Sequence, residues 1–307
     1  MTENQNHNKQ SIVEINLDEV SDTELQLYFD TGLLDDEIMA YAKDKNETSF
    51  IEQNKDHLTA VFLMLDGDYN HYKVGDMPRT LPILMTMNQD QLLVLTNTKT
   101  SKLYAKFKDN IDDSKTPLYH LFYILTLISQ QYFQLLEKVA NKRDKLIKDL
   151  QKRANKKNIA DLAKLQTGSA YLLISAQQNA DMLLEFKNFS MYDSASDQEK
   201  EVYSDAYIES RQLKNMTSLH SKMLNDLSSS YNNVLSNRLN DNMTNLTILS
   251  LGLAIMTSVT SFYGMNIKLP FAKVDIVWVI ITILSAIVAI ASMIWMRRYV
   301  RKDHDDD

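Results

Sequence analysis

Two uncharged apolar runs near the C-terminal end constrain this chain more than any other feature. Residues 246–262 read LTILSLGLAIMTSVTSF, 17 residues, and residues 276–296 read IVWVIITILSAIVAIASMIWM, 21 residues. Each is long enough to cross a bilayer as a helix. The pattern predicts a two-helix transmembrane hairpin, with spans at 246–266 and 276–296 and a short external loop at 267–275. Arg297, Arg298, Arg301 and Lys302 follow the second run at once. Positive charge collects on the cytoplasmic side of such helices, so the C-terminus is expected in the cytoplasm. Two spans then return the N-terminal part to the same side, in the inner or plasma membrane of the cell. Residues 297–307 are expected to be a basic, then acidic, cytoplasmic tail, with Asp303-His304-Asp305-Asp306-Asp307 solvated rather than metal-binding.

The two spans differ in kind. The second is uniformly apolar, with Trp278 and Trp295 near its ends as interfacial anchors. The first places Asn240, Thr244, Thr247, Ser250, Ala254, Thr257, Ser258 and Ser261 on one helical face of roughly 140°. Small polar residues serve helix–helix packing in membranes, and they equally suit the wall of a water-filled path. Two helices cannot enclose such a path. A pore therefore requires several copies around an axis, a cyclic homo-oligomer.

The rest of the 307-residue chain reads as soluble structure. Residues 1–10 are polar and read as a disordered tail rather than a signal peptide. Residues 11–112 look like a compact α/β cytoplasmic domain, with strands expected at 12–17, 58–65, 80–87, 91–97 and 102–107. Ser21-Asp22-Thr23-Glu24 is a capping box, with Gly32 as the helix stop and a second short helix at 35–44. Thr116-Pro117 opens a long helix, and apolar residues from Leu118 to Val139 recur at three-to-four spacing. Its continuation, from Asn141 to Lys157, is basic and reads as a solvated face. A second helix at about 159–189 completes a helical hairpin over 116–190. Ser196 and Glu199 form another capping box, from which no Gly or Pro appears until Gly252. One helix from there to Phe262 would be about 100 Å long at 1.5 Å per residue, with 194–245 as a stalk outside the membrane.

Composition excludes several function classes. A net charge of −7 makes nucleic acid an improbable partner. There is no cysteine, hence no thiolate metal site or Cys nucleophile, and the six His residues are scattered. No P-loop and no nucleophile–base constellation is present, so the chain does not read as an enzyme and no organic cofactor is expected.

The first span ends in Tyr263-Gly264-Met265-Asn266. Gly permits a turn or close approach, and Asn supplies a neutral carbonyl oxygen. In a symmetric oligomer that oxygen becomes a ring. Mg²⁺ gives up its waters reluctantly, so amide oxygens that hydrogen-bond the intact hydrated ion bind weakly enough to let it leave. With the short loop, second span and basic C-terminus, the YGMN sequence resembles the CorA family of magnesium channels. PLYHLFYILTLISQQYFQLLEKV (117–139) and YSDAYIESRQL (203–213) share that resemblance.

The resemblance implies a homopentameric funnel in the lipid bilayer: an α+β domain, a long helical stalk and a pore lined by the first span. It implies Gly264, Met265 and Asn266 as selectivity filter, with Asn266 meeting metal through the hydrated ion. Asn240, Leu246 and Thr257 fall at pore positions, Leu246 at a hydrophobic constriction. Asp205 matches a carboxylate that binds regulatory Mg²⁺ between subunits, with Asp66 or Asp68 as its candidate partner. Departures are Ala254, Ser261 and Ser229, where the family can carry Met, Gly and an acid, and a basic outer loop. Mg²⁺ is thus expected as both cargo and regulator. The alternatives are a zinc or cobalt transporter of the same superfamily, and a non-conducting membrane-anchored scaffold or sensor.

Overall fold

The computed structural model describes residues 11–55, 57–66, 79–108, 111–112, 114–152, 156–265 and 276–305. The chain divides after Ser228 into two compact units.

The first unit is built on a five-stranded sheet. Strands β1 (Ile12–Asn16), β2 (Phe50–Asn54), β3 (His57–Leu65), β4 (Thr80–Met87) and β5 (Leu92–Thr96) lie in the order β1-β5-β4-β3-β2. Only β1 and β5 run parallel; the other neighbours are antiparallel. The central strands read as continuous apolar runs because both sheet faces are covered. Alternate residues go to different cores. Leu58, Ala60, Phe62, Met64, Met85 and Val94 face one, which continues into the long helices through Phe122, Leu125, Ile128 and Leu183. Val61, Leu84, Leu93 and Leu95 face the other, with Leu34, Ile38 and Met39. That second face carries α1 (Asp22–Asp30) and α2 (Asp36–Lys43). Ser21 Oγ accepts from Glu24 N at the start of α1, and Gly32 takes φ +73° beyond its end, both as the sequence suggests. Asp35 caps α2 through the Ile38 N–H at 2.7 Å.

Two sequence expectations are corrected here. KLYAKF (102–107) is not a strand; it lies in α3 (Thr98–Lys108). The missed signal is Asn97, whose Oδ1 accepts from Lys99 N and Thr100 N, while Thr100 Oγ1 accepts from Asn97 N. Asp18 adds an acceptor to Thr98 N at 2.8 Å. Thr100, Leu103, Tyr104 and Phe107 are buried at helical spacing. The edge strand β2 was not expected either. Its FIEQN is too polar to announce itself, and Lys55 follows in the left-handed region at φ 55°.

The core on the first sheet face is shared by α3, α4 (Pro117–Lys152), α5 (Lys156–Glu185) and the first part of α7 (Asp197–Tyr263). A 3-10 turn (Phe186–Asn188) and the short α6 (Ser190–Ser194) connect α5 to α7. Asn179 of α5 is fully buried. Its Nδ2 donates to Leu63 O and its Oδ1 accepts from Leu63 N, both at 2.9 Å. β2 pairs with β3 only as far as Val61, so this amide continues the sheet edge for one residue. On the other side Leu63 stands opposite Pro82, and β5 pairs with β4 only over Leu84–Met87. The missing N–H of Pro82 therefore lies past the end of that ladder and costs no hydrogen bond.

Both long helices begin at one carboxylate. Glu199 Oε2 accepts from Ser196 N and Oγ, closing the capping box, and Oε1 accepts from Thr116 Oγ1 at 2.6 Å. Thr116 Oγ1 in turn caps α4 through Tyr119 N. Phe122, Phe186, Tyr192 and Tyr203 pack ring on ring beside this junction, at centroid separations of 4.7–5.8 Å.

In the second unit, the end of α7 packs against α8 (Val277–Asp305). Two stretches, one in α7 and one at Trp278–Tyr299, are long and apolar enough to cross a membrane. Only 11% of either apolar window is buried, which distinguishes both from core helices of a soluble protein. The helix α8 does not stop at Met296; the basic residues and Asp303 to Asp305 lie on its continuation.

Two outcomes follow from the buried polar contacts. Asn179→Leu leaves the Leu63 N–H without a partner, and the melting transition of the full chain in detergent is expected to lose about 2 kcal/mol. An unchanged transition would show that the amide adds no stability. For Glu199, burial raises the pKa, but hydrogen bonds from Thr116 and Ser196 outweigh it and hold the carboxyl below its usual range. Its contribution is therefore present above the unfolded-state value of about 4.3 and is lost as pH falls through the folded-state pKa. The stability difference between the parent and Glu199→Gln should be largest above about pH 4.5 and shrink below it, measured by thermal melts across pH.

Candidate ion pathway

The sequence leaves two uses open for the polar face of the first span, packing or pore lining. The partner of α7 within the chain narrows this. The face of α7 that is turned inward contains Ile248, Gly252, Ile255, Val259 and Tyr263, each buried or half-buried. A Cβ on Gly252 would stand 2.9 Å from both Cγ and Sδ of Met293 and closer still to its Cε. On α8, Ser285 and Ala289 are buried. Glycine therefore permits a close crossing of the two helices. Gly252 was not singled out from the sequence, although a lone glycine inside an unbroken helix is the signal that could have found it.

The other side of α7 is exposed among the described residues. Asn240, Leu246, Thr247, Ser250, Ala254, Thr257, Ser258 and Ser261 are all exposed. Their shared face is centred roughly 160° around the helix from the one packed on α8. Thr244 is half-buried. Packing against α8 thus does not account for the polar residues, and Leu246 is 64% exposed among them.

The threonines have a definite hydrogen-bond polarity. Thr247 Oγ1 donates to Met243 O at 2.9 Å, and Thr257 Oγ1 to Leu253 O at 2.8 Å. Each hydroxyl proton is spent on the helix's own backbone, so the oxygen lone pairs remain outward as acceptors. Acceptors facing a path suit the water protons of a hydrated cation. The helix ends where Gly264 N donates to Thr260 O at 3.0 Å, and Met265 N reaches Phe262 O at 3.4 Å. Gly264 and Met265 are exposed at this end. Asn266 lies outside the described residues.

The carboxylates expected to bind regulatory Mg²⁺ are placed less uniformly. Asp205 is exposed on α7, between the buried Tyr203 and Ala206. Asp66 follows β3, with Lys99 Nζ 3.8 Å from its Oδ2. A divalent ion at Asp66 would compete with that ammonium. Asp68 lies outside the described residues. Among the described residues, no three His, Asp or Glu side chains converge within one chain.

Solved structures resemble the chain along most of its length. The CorA magnesium transporter of Methanocaldococcus jannaschii is 20% identical at a TM-score of 0.74, over 94% of this chain and 89% of that one. The full-length CmaX protein is 12% identical at 0.64, over 91% and 85%. The ZntB cytoplasmic domain from Vibrio parahaemolyticus RIMD 2210633 is 10% identical at 0.50, over 75% and 88%. At these identities the likeness establishes the fold. A comparison with curated protein sequences finds no match. The family described as CorA-like Mg²⁺ transporter protein matches residues 11–298. The exposed polar face on the first apolar helix, the two candidate spans and this match over nearly the whole sequence agree, and the chain belongs to the CorA-like Mg²⁺ transporter family.

Proposed function

We propose that the chain is the subunit of a homopentameric Mg²⁺ channel that admits the ion down the membrane potential and is inhibited by internal Mg²⁺. The observation that carries this reading is the exposed polar face of α7, on the side of the helix away from α8. Copies arranged about an axis would turn those faces to a common path, with Thr247 and Thr257 oxygens as acceptors toward the ion's water shell. Leu246 narrows the path near its inner end. Gly264, Met265 and Asn266 form the outer filter, where a ring of Asn266 amide oxygens holds the hydrated ion. Weak outer-shell binding permits both entry and exit.

Inhibition rests on Asp205. Carboxylates contributed by neighbouring subunits repel one another unless a cation bridges them. Mg²⁺ bound there favours the closed ring by its greater affinity for that state. Both termini would then lie in the cytoplasm, where Asp205 samples internal Mg²⁺. Zinc conduction is disfavoured because the polar face carries neither imidazole nor thiolate.

The deciding experiment is uptake of divalent ions into liposomes under an inside-negative potential, read with a Mg²⁺-sensitive dye. Asn266→Ala is expected to lower Mg²⁺ uptake by about tenfold, equivalent to ~1.4 kcal/mol at the barrier. Absence of flux of any divalent ion, from folded oligomeric protein, would instead favour a non-conducting scaffold. Asp205→Asn is expected to raise the internal Mg²⁺ concentration needed for half-inhibition by roughly tenfold. Unchanged inhibition in that variant would remove Asp205 from the regulatory site.

A further inference from the structure

Helices α4 and α7 lie side by side and run in the same direction. Thr116 meets Glu199, Ser129 Oγ meets Ser210 Oγ at 3.0 Å, and Arg143 meets His220 and Met223. The sequence separations of the first three pairs, 83, 81 and 77, are close to constant, as parallel helices require. The contacts differ in chemistry. Those at Thr116 and Ser129 join hydroxyls to a carboxylate and a hydroxyl, whereas that at Arg143 joins a permanent cation to an imidazole.

Arg143 is enclosed, with its side chain 11% exposed. Its Nε and Nη2 donate to Asp144 Oδ1 at 3.0 and 2.8 Å, and Nη1 is 3.3 Å from His220 Nδ1 and 3.1 Å from Met223 Sδ. A guanidinium has only donors. The contact therefore requires a bare Nδ1 on His220, the neutral ring with its proton on Nε2. Protonation at Nδ1 removes the acceptor and sets two cations against each other across 3.3 Å.

We propose that the Arg143–His220 contact is a proton-sensitive latch between α4 and α7, closed while His220 is neutral and released when it is protonated. Burial lowers the His220 pKa, Arg143 lowers it further, and Asp144 opposes both. Arg143 and Asp144 of α4 are the charged groups that act on the ring; none of α5 or of α7 itself does so among the described residues. On the α5 side, Gln166 Nε2 donates to Asn225 Oδ1 at 3.0 Å, an uncharged contact that does not titrate. The sign follows from the lowered pKa. The unfolded or released ring binds its proton near pH 6.5, and the latched ring only at lower pH. The latch is thus fully closed above about pH 6.5 and opens as pH falls below it. A consequence for ion flux rests on the proposed function, because α7 carries the candidate pathway; the latch itself does not.

The chain has no cysteine, so spin labels can be introduced at Asn141→Cys on α4 and Ser218→Cys on α7, both exposed positions. The distance distribution between them is measured in the full-length protein from pH 7.5 to 5, with labelled subunits diluted by unlabelled ones. Acidification is expected to broaden or lengthen the distribution, with a midpoint below about pH 6.5. His220→Gln keeps an acceptor for Arg143 but cannot take up the proton, and the response should vanish. Asp144→Asn removes the group that favours protonation, and the midpoint should move to lower pH. A parent distribution that does not change with pH, or a response that survives in His220→Gln, overturns the latch. Both readings are independent of whether the protein conducts Mg²⁺.

Discussion

The first unit depends on burying both faces of one sheet while leaving no strand edge unpaired in its interior. β3 is buried along nearly its whole length, yet β2 accompanies it only to Val61. Beyond that point its N–H and C=O groups would face apolar helices, where an unpaired group costs about 1–3 kcal/mol. Asn179 supplies the missing donor and acceptor from α5, and Tyr132 Oη donates a further bond to Leu63 O from α4. The same two contacts that complete the sheet set the positions of α4 and α5 upon it. With those helices placed, the aromatic cluster around Phe186 and the shared Glu199 cap settle where α7 begins.

Contacts of several kinds hold α7 along its length. Its first turns are held by the cap and by hydroxyl contacts with α4, its middle by the Arg143–His220 pair, and its apolar end by a glycine crossing with α8. The crossing uses one side of the helix, and the polar side is exposed among the described residues. Because the intrachain contact is already satisfied by Gly252, Ile255 and Val259, the exposed Ser and Thr residues are available to other copies or to ions. The hydroxyl protons of Thr247 and Thr257 are committed to backbone carbonyls, so what those two offer is oxygen.

Local signals in the sequence were read well where they act within a few residues. The capping residues Ser21, Thr116 and Ser196 mark helix starts that the structure contains. The strand at 102–107 was misread because K-L-Y-A-K-F alternates in part as a strand does. Its capping Asn97 and the buried Thr100–Tyr104 and Leu103–Phe107 spacings belong to a helix. β2 escaped because an edge strand needs only one covered side and carries little apolar signal. Of the candidate site, the exposed polar face of α7 was legible as a periodicity. No partner for Asp205 was legible, and among the described residues no three His, Asp or Glu side chains converge within the chain.

The sequence by itself determined the two apolar spans and the unbroken helix that leads into the first of them, because length, absence of charge and absence of breakers act locally and additively; the family was legible through the resemblance that YGMN carries. Only the tertiary structure decided which side of α7 meets α8, that Asn179 finishes the sheet 116 residues away from itself, and that His220 faces Arg143 across 77 residues. A helical periodicity says that a face exists, but what covers it depends on long-range packing. The chemistry of Asn179 and His220 lies in their partners, and those partners are neighbours only after folding.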